Sequence, residues 1–313
     1  MNAQLKLSVS PHIHSGKSTS RIMLDVLISL LPATIAGCVI FGLRALLVVA
    51  VTVAACVGFE VLFNLAANKP IPIGDFSAAV TGLLLALNLP ANIPVWQCVI
   101  GALFAMVVVK GLFGGLGNNP VNPAITARVF MLVAFGSMAK AAFPAAYTGC
   151  ALDAVSSATP LAAETPPSLI DLFLGNHGGA IGETCAAALL LGGIYLLVRR
   201  VITWQIPVAF IGTVFVASFF MEGMDVTAAL AAILSGGLLI GAIFMATDYV
   251  TSPATPWGKI IFGVGAGLIT FLIRYFGTYP EGVSFAILFM NILTPYISSW
   301  TMRKVFGVGG KKA

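Results

Sequence analysis

Most polar side chains that could do chemistry in this chain fall in short turns between long apolar stretches. One turn and the segment after it carry three amides, a hydroxyl and a guanidinium: Asn118, Asn119, Asn122, Thr126 and Arg128. Amides can bond unpaired backbone groups or the polar edge of a bound ring system, and a guanidinium can hold a phosphate or a carbonyl oxygen. The alternatives are helix capping for the amides and, for Arg128, a partner on another helix or snorkelling.

A second polar turn holds Asp248 and Thr251. An acidic residue inside apolar sequence is a functional candidate by default, because an unpartnered charge is costly in a bilayer. For Asp25 and Glu60, which also lie within or near apolar stretches, we expect pairing across helices or placement at a cytoplasmic span end. The five cysteines are scattered and form no ligand pattern with the three histidines, so we predict no metal site.

Composition places the chain in the membrane. Of its 313 residues, 59% are hydrophobic and 9% are charged, against roughly 25% charged residues in an ordinary soluble domain. A soluble globular protein is thereby excluded. The net charge of +5 bears on orientation in a bilayer rather than on nucleic acid, so we predict a lipid environment and no nucleic-acid partner.

Apolar stretches long enough for helices that cross or enter a bilayer recur along the chain, and we predict an all-α polytopic membrane protein with about ten transmembrane helices. The stretches run at about 22–42, 44–66, 76–90, 95–113, 123–138, 180–198, 201–220, 227–246, 258–276 and 283–302. With the N-terminus inside, the cytoplasmic segments hold eleven basic residues and the outer segments hold Arg44 and Lys140. This asymmetry predicts that both termini are cytoplasmic.

Several features recur in the same order in the two halves. Thr81-Gly82-Leu83-Leu84 and Phe130-Met131 have counterparts in Gly236-Gly237-Leu238-Leu239 and Phe289-Met290. The copies start at the third and eighth stretches, an offset of five, which predicts two inverted five-helix repeats with Gly/Pro-broken short helices. Chance recurrence of Gly, Pro and Leu is the alternative.

These features divide the chain into five parts. They are a cytoplasmic N-terminal segment (1–21), a first transmembrane repeat (22–138), an extracytoplasmic loop (139–179), a second, inverted repeat (180–302) and a cytoplasmic basic tail (303–313).

The extracytoplasmic loop contains Asp153-Ala154-Val155-Ser156-Ser157-Ala158-Thr159. This resembles Asp-x-x-Ser/Thr-Gly-Ala-Thr, the pattern on which FMN is attached in subunits of the Rnf and sodium-translocating NADH:quinone oxidoreductase complexes. The resemblance implies covalent FMN on Thr159, with Asp153, Ser156, Ser157 and Ala158 completing the flavinylation motif. Ser157 stands where the pattern has glycine, and an ordinary Ala/Ser/Thr-rich loop is the alternative.

Other segments resemble the D-type family of Rnf membrane subunits, and the resemblance covers nearly the whole chain. They are Ser10-Pro11-His12-Ile13-His14, residues 114–124, residues 244–253, and residues 273–283 followed by Phe289-Met290-Asn291. The family implies a bacterial inner-membrane subunit that passes electrons between reduced ferredoxin and NAD, coupled to sodium or proton movement. It implies as partners the FMN-bearing G subunit, the membrane A and E subunits and a flavin transferase.

The resemblance also gives the polar turns a role. A second, noncovalent flavin such as riboflavin could lie between the repeats, with Asn118, Asn119, Asn122, Thr126 and Arg128 as contacts and Asp248 and Thr251 as a further site. The competing hypothesis is a channel or transporter subunit for a small solute or ion with no redox role, which the same fold would support.

Overall fold

The structure, a computed structural model, describes residues 18–70, 72–135, 168–277 and 282–302, together with the backbone of 141–142 and 156–157. Asp153, Ala158 and Thr159 of the predicted flavinylation motif lie outside the described residues, as do the termini. Ser156 and Ser157 form a two-residue strand, β2, that pairs antiparallel with β1, Ala141–Ala142.

Among the described residues, the first half of the chain forms five helices: α1 Thr19–Phe41, α2 Leu43–Ala66, α3 Ser77–Leu87, α4 Val95–Leu103, which continues as a π-helical segment Phe104–Gly111, and α5 Pro123–Ala134. Gly42 alone joins α1 to α2, with φ of 73°, a value that suits glycine. A 3₁₀ turn, Ile73–Asp75, precedes α3. Asn122 caps α5, because its side chain accepts from the N–H groups of Ala124 and Ile125. The capping interpretation of this amide is confirmed.

In residues 168–277 and 282–302 the second half forms seven helices: α6 Leu169–Leu174, α7 Ala186–Val198, α8 Gln205–Met221, α9 Val226–Leu234, α10 Leu238–Ile240, which continues as a π-helical segment Gly241–Met245, α11 Pro256–Phe276 and α12 Val283–Thr301. Asp225 caps α9 from the preceding turn. The hydroxyl and N–H of Thr227 donate to its carboxylate and hold the pKa of Asp225 below its usual range.

The chain is an all-helical, multi-pass membrane protein apart from the short β1–β2 pair, as composition predicted. Among the described residues, α1, α2, α11 and α12 are long and apolar enough to span a membrane, and the α9–α10 pair is a fifth candidate bent by 67°. Five shorter apolar helices accompany them: α3, α4 with its π-helical segment, α5, α7 and α8. The count of ten crossings and the inverted repeat stay predictions.

Two predicted stretches differ from the observed helices. Residues 180–185 were expected to begin a span, but they belong to a buried loop, and α7 begins at Ala186. The N–H groups of Ile181 and Gly182 donate to the carbonyls of Leu89 and Leu87, and the N–H of Glu183 donates to the carbonyl of Ala180, so this segment is buried as a turn against the end of α3. The predicted polar stretch 139–179 likewise contains a helix, α6.

The stretch 227–246 was expected to be continuous, but it breaks at residues 235–237 between α9 and α10. Gly236 has φ of 66°, a left-handed conformation that glycine adopts without strain and that ends a helix. The pair Gly236-Gly237 therefore marks the point at which the helix breaks. An interruption of this kind is what the predicted Gly/Pro-broken helices require.

Connectivity assigns each turn to one end of the helical bundle. We call the end at which α1 begins the first end, and the end holding the α1–α2 turn the second end. The first end collects the starts of α3, α5, α8 and α11. The second end collects residues 88–94, the end of α5 and the segment before α7.

Glycines bring α8 and α11 into close contact. A Cβ added to Gly263 would lie 2.8 Å from the Cβ of Ala209, and one added to Gly267 would lie 2.7 Å from the Cβ of Thr213. Small residues four apart let membrane helices approach closely, where backbone packing replaces the hydrophobic effect as the source of stability.

We therefore expect Gly267→Leu to destabilise the protein by about 1–3 kcal/mol, because overpacking forces the two helices apart. Gly212→Leu on α8 is the matched control, since an added Cβ there meets nothing within 4 Å. Thermal melting in detergent measures both variants. Equal melting temperatures would contradict the tight α8–α11 contact.

Candidate functional site

The broken helix between α9 and α10 is held by charged side chains from distant parts of the chain. The guanidinium of Arg274, on α11, donates to the carbonyls of Ala232 (2.6 Å) and Ser235 (3.1 Å) at the end of α9. The end of a helix carries unpaired carbonyls and a partial negative charge. Arg274 therefore satisfies the backbone that the break leaves open.

A buried ion pair lies against the start of α10. The guanidinium of Arg128, on α5, donates to Glu183 Oε1 at 2.5 Å and also bonds the side-chain oxygen of Asn88. A Cβ added to Gly237 would lie 2.7 Å from Glu183 Oε1, so the carboxylate touches the backbone there. A carboxylate at the N-terminus of a helix is electrostatically favourable.

Amides continue this contact across the two halves. Asn88 donates to the carbonyl of Leu84 (2.7 Å) and to Met245 Sδ (3.5 Å), and Asn122 donates to the carbonyl of Met245 (3.3 Å). With its amide oriented to suit its neighbours, Asn291 accepts from the N–H of Asn122. Asn122, the cap of α5, is thus hydrogen-bonded both to the end of the broken helix and to α12.

The acids of the first two helices pair across helices, as predicted. Glu60 on α2 binds Lys110 Nζ at 2.5 Å, and Lys110 also donates to Ser77 Oγ at 2.6 Å. Asp25 on α1 accepts from Arg199 (3.1 Å) and from Tyr195 (3.0 Å). The Lys110–Glu60 pair is buried, whereas the side chain of Arg199 is 56% exposed.

A cavity of about 90 Å³ opens beside these contacts near the first end of the bundle. Apolar side chains from α1, α3, α7 and the α10 segment form most of its wall. Its polar lining comes from both halves of the chain: Ser77, Thr81, Lys110, Asn119, Asn122, Thr247 and Asp248. A lining of apolar walls with a few polar groups is typical of a small-molecule site.

The structure brings some of the predicted site residues together and separates others. Asn119, Asn122 and Asp248 line the cavity, and Thr251 is buried next to it, where its hydroxyl donates to the Asp248 carboxylate at 3.1 Å. Thr126 bonds the carbonyl of Asn122.

Two other predicted residues have different surroundings. Asn118 is exposed outside the cavity lining. Arg128 does not snorkel, because it is buried and pairs with Glu183, which lies in the loop before α7 rather than on a helix, and it also bonds Asn88, which directly follows α3.

Sequence reasoning missed Lys110, Ser77, Thr81 and Thr247 as cavity residues. Lys110 did carry a signal, since a lysine near the end of an apolar span needs a partner or must snorkel. Its partner could not be named, because Glu60 lies 50 residues away on another helix. Within the described part of the chain, no three His, Cys, Asp or Glu side chains are grouped to hold a metal ion.

Comparison with known proteins decides the family. A sequence model of the NQR2, RnfD, RnfE family matches residues 6–307. The chain belongs to this family.

Relatives in the NQR2, RnfD, RnfE family match over almost their full length. The chain is 45% identical to the D subunit of the Na(+)-translocating ferredoxin:NAD(+) oxidoreductase complex of Acetobacterium woodii, over 97% of this chain and 96% of the relative. It is 40% identical to the D subunit of the proton-translocating ferredoxin:NAD(+) oxidoreductase complex of Clostridium ljungdahlii, over 96% of each. It is 36% identical to the D subunit of an ion-translocating oxidoreductase complex of Haemophilus influenzae, over 96% of this chain and 98% of the relative.

In this member of the NQR2, RnfD, RnfE family, we expect Arg128→Gln to cost about 3–5 kcal/mol of stability, because Glu183 would remain buried without its cation. The double variant Arg128→Gln/Glu183→Gln should lose less, since it removes both charges. Thermal melting in detergent measures the single and double variants.

Arg199→Gln is the control for this pair, and the loss of its exposed guanidinium should cost much less stability. A double variant no more stable than Arg128→Gln would contradict the structural pairing of Arg128 with Glu183.

Proposed function

We propose that the chain is the D-type membrane subunit of an ion-translocating ferredoxin:NAD oxidoreductase complex, and that it carries flavin. The observation that carries the proposal is the 45% identity to such a subunit over 97% of the chain. Relatives named for sodium and for proton translocation are similarly close, so the proposal extends to ion translocation and not to the choice of ion.

The first flavin is FMN bound covalently to Thr159. Support comes from Asp153, Ser156, Ser157 and Ala158, which with Thr159 match the flavinylation pattern except at Ser157. In the attachment step, the Thr159 hydroxyl attacks the FMN phosphorus of FAD. A phosphoester bond forms, the pyrophosphate bond breaks, AMP leaves, and the hydroxyl proton passes to solvent or to a base of the flavin transferase.

A second, noncovalent flavin, such as riboflavin, occupies the cavity near the first end. A flavin ring is flat and largely apolar, with carbonyl and N–H groups along one edge, and it supplies one- or two-electron transfer when bound. The cavity residues fit it: aliphatic walls hold the ring, the amide of Asn119 and the carboxylate of Asp248 can bond its edge, and Lys110 adds a nearby positive charge.

The side chains that would hold this flavin are already positioned by other contacts. Lys110 is fixed between Glu60 and Ser77, Asp248 by Thr251, and Asn122 by its cap and by Met245. Such prior fixing reduces the ordering cost of binding. The oxidation of ferredoxin and the reduction of NAD are assigned to partner subunits.

The proposed setting follows from the family. The chain works in the bacterial inner membrane, with both termini cytoplasmic and the 139–179 loop on the outer side. Its partners are the FMN-bearing G subunit and the membrane A and E subunits, and a flavin transferase matures it. The basic residues of the cytoplasmic segments support this orientation.

The covalent flavin is tested by co-expressing the full chain with a flavin transferase and denaturing the purified protein. We expect gel fluorescence and peptide mass spectrometry to find FMN on the Thr159 peptide, and Thr159→Ala to lose it completely. Thr165→Ala is the matched control, since Thr165 lies in the same loop and also precedes a proline. Ser157→Gly restores the family pattern, and we expect this variant to carry at least as much covalent FMN as the natural chain.

Absence of covalent flavin in the natural chain, despite a transferase that labels a known substrate, would overturn the flavin assignment. It would favour the alternative of a channel or transporter subunit.

The cavity flavin is tested in a Thr159→Ala background, in which every remaining flavin is noncovalent. We expect acid extraction and chromatography to recover flavin from this protein, and Asn119→Ala or Asp248→Asn to reduce its content severalfold by removing bonds to the ring edge. Asn64→Ala is the control, because Asn64 lies at the same end of the bundle but outside the cavity lining. Unchanged flavin content in both cavity variants would contradict the site.

A further inference from the structure

Helix α8 lies between two apolar grooves on the surface of the bundle. One groove, of about 550 Å³, runs between α8 and α11, and the other, of about 400 Å³, runs between α8 and α7 and reaches Ile233 on α9 and Ile243 on the α10 segment. Val208 and Gly212 line both grooves. The residues that line the two grooves include no carboxylate.

The shape of the grooves follows from small residues. The close approach of α8 and α11 at Gly263 and Gly267 leaves a furrow beside the contact. Gly212 presents no side chain, and an added Cβ there would meet nothing within 4 Å. The ridge between the grooves is therefore low at Gly212, and two parallel acyl chains can lie one on each side of α8.

The length of the first groove suits one leaflet. Its α8 lining runs from Trp204 to Ala217, which is about 20 Å at 1.5 Å per residue. Half of a bilayer's hydrocarbon core is about 15 Å thick. A single acyl chain can therefore lie along the groove from the first end of the bundle to the middle of the membrane.

Positive charge surrounds the mouth of the grooves. The turn before α8 carries Arg199 and Arg200, and Lys259 at the start of α11 donates to Thr203 at 3.1 Å. The backbone N–H groups of the first turn of α8 add partial positive charge. Trp204, 58% exposed at the same place, is the kind of residue found at headgroup depth.

We propose that the two grooves hold the acyl chains of one anionic phospholipid, which straddles α8 and places its phosphate between Arg200, Lys259 and the start of α8. Basic sites between membrane helices recognise anionic headgroups in this way. The site is independent of flavin, because none of its polar groups lines the flavin cavity.

The grooves are tested by native mass spectrometry of the full chain after delipidation in detergent, with phosphatidylglycerol as the probe. We expect one tightly bound phosphatidylglycerol, and Gly212→Leu to abolish it by filling both grooves. Gly58→Leu is the matched control, since an added Cβ at Gly58 on α2 also meets nothing within 4 Å. Melting temperature without lipid checks that both variants fold, and retained binding in folded Gly212→Leu would overturn the proposal.

The headgroup is tested by comparing phosphatidylglycerol with phosphatidylcholine. Each cation lost near an anionic lipid costs about fivefold in affinity. The double variant Arg200→Gln/Lys259→Gln should therefore bind phosphatidylglycerol about 25-fold more weakly and bind phosphatidylcholine with unchanged affinity. Lys69→Gln, at the same end of the bundle, is the control and should change neither affinity. Equal binding of the two lipids by the natural chain would overturn the anionic assignment.

A photocrosslinking residue in place of Leu268, a large exposed side chain that lines the first groove, extends the test to the assembled complex. We expect it to capture phospholipid. Capture of a neighbouring protein of the complex would show that a protein helix covers the grooves and would overturn the proposal.

Discussion

The rest of the fold depends on how a helix that breaks inside a bilayer satisfies its backbone. Water is absent there, so the open carbonyls and N–H groups at residues 235–237 need partners from the protein itself. Arg274 bonds the carbonyl end of α9, and the Arg128–Glu183 pair lies against the start of α10. Arg274 matches the partial negative charge at the end of α9, and Glu183 matches the partial positive charge at the start of α10. The Arg128 guanidinium also lies against Gly237 and is compensated by Glu183. One interruption thereby fixes α5, α11 and the segment before α7 relative to one another.

The same requirement explains the buried loop before α7 and the neighbouring cavity. Glu183 can reach Arg128 because the N–H groups of Ile181 and Gly182 bond the carbonyls that end α3. On the first-end side, the carbonyl of Met245 accepts from Asn122 and brings the cap of α5 to the end of the broken helix. Two polar turns that are distant in sequence therefore share one cavity. Most of the polar groups around it have partners in the protein, so they are positioned before any ligand binds.

The sequence predicted those features that depend on a residue and its immediate neighbours. Composition established the multi-pass class, Asn122 was recognisable as a cap, and the cost of isolated charge predicted pairing for Asp25 and Glu60. The sequence could not predict which partners those charges take, because the choice of partner depends on how each helix is rotated about its axis. Residues 180–185 were wrongly included in a span because they directly precede the apolar run that forms α7. Their own turn and their bonds to Leu87 and Leu89 are tertiary features that hydropathy does not reveal.

Under the proposed function, the described residues limit what this protein can do alone. The cavity lies at the start of α5, and its side chains can hold and orient a flavin. The residues that line it include no cysteine, and the described part of the chain has no group of His, Cys, Asp or Glu for a metal centre. A flavin in the cavity must therefore exchange electrons with other carriers, which the proposal assigns to FMN on Thr159 and to the partner subunits.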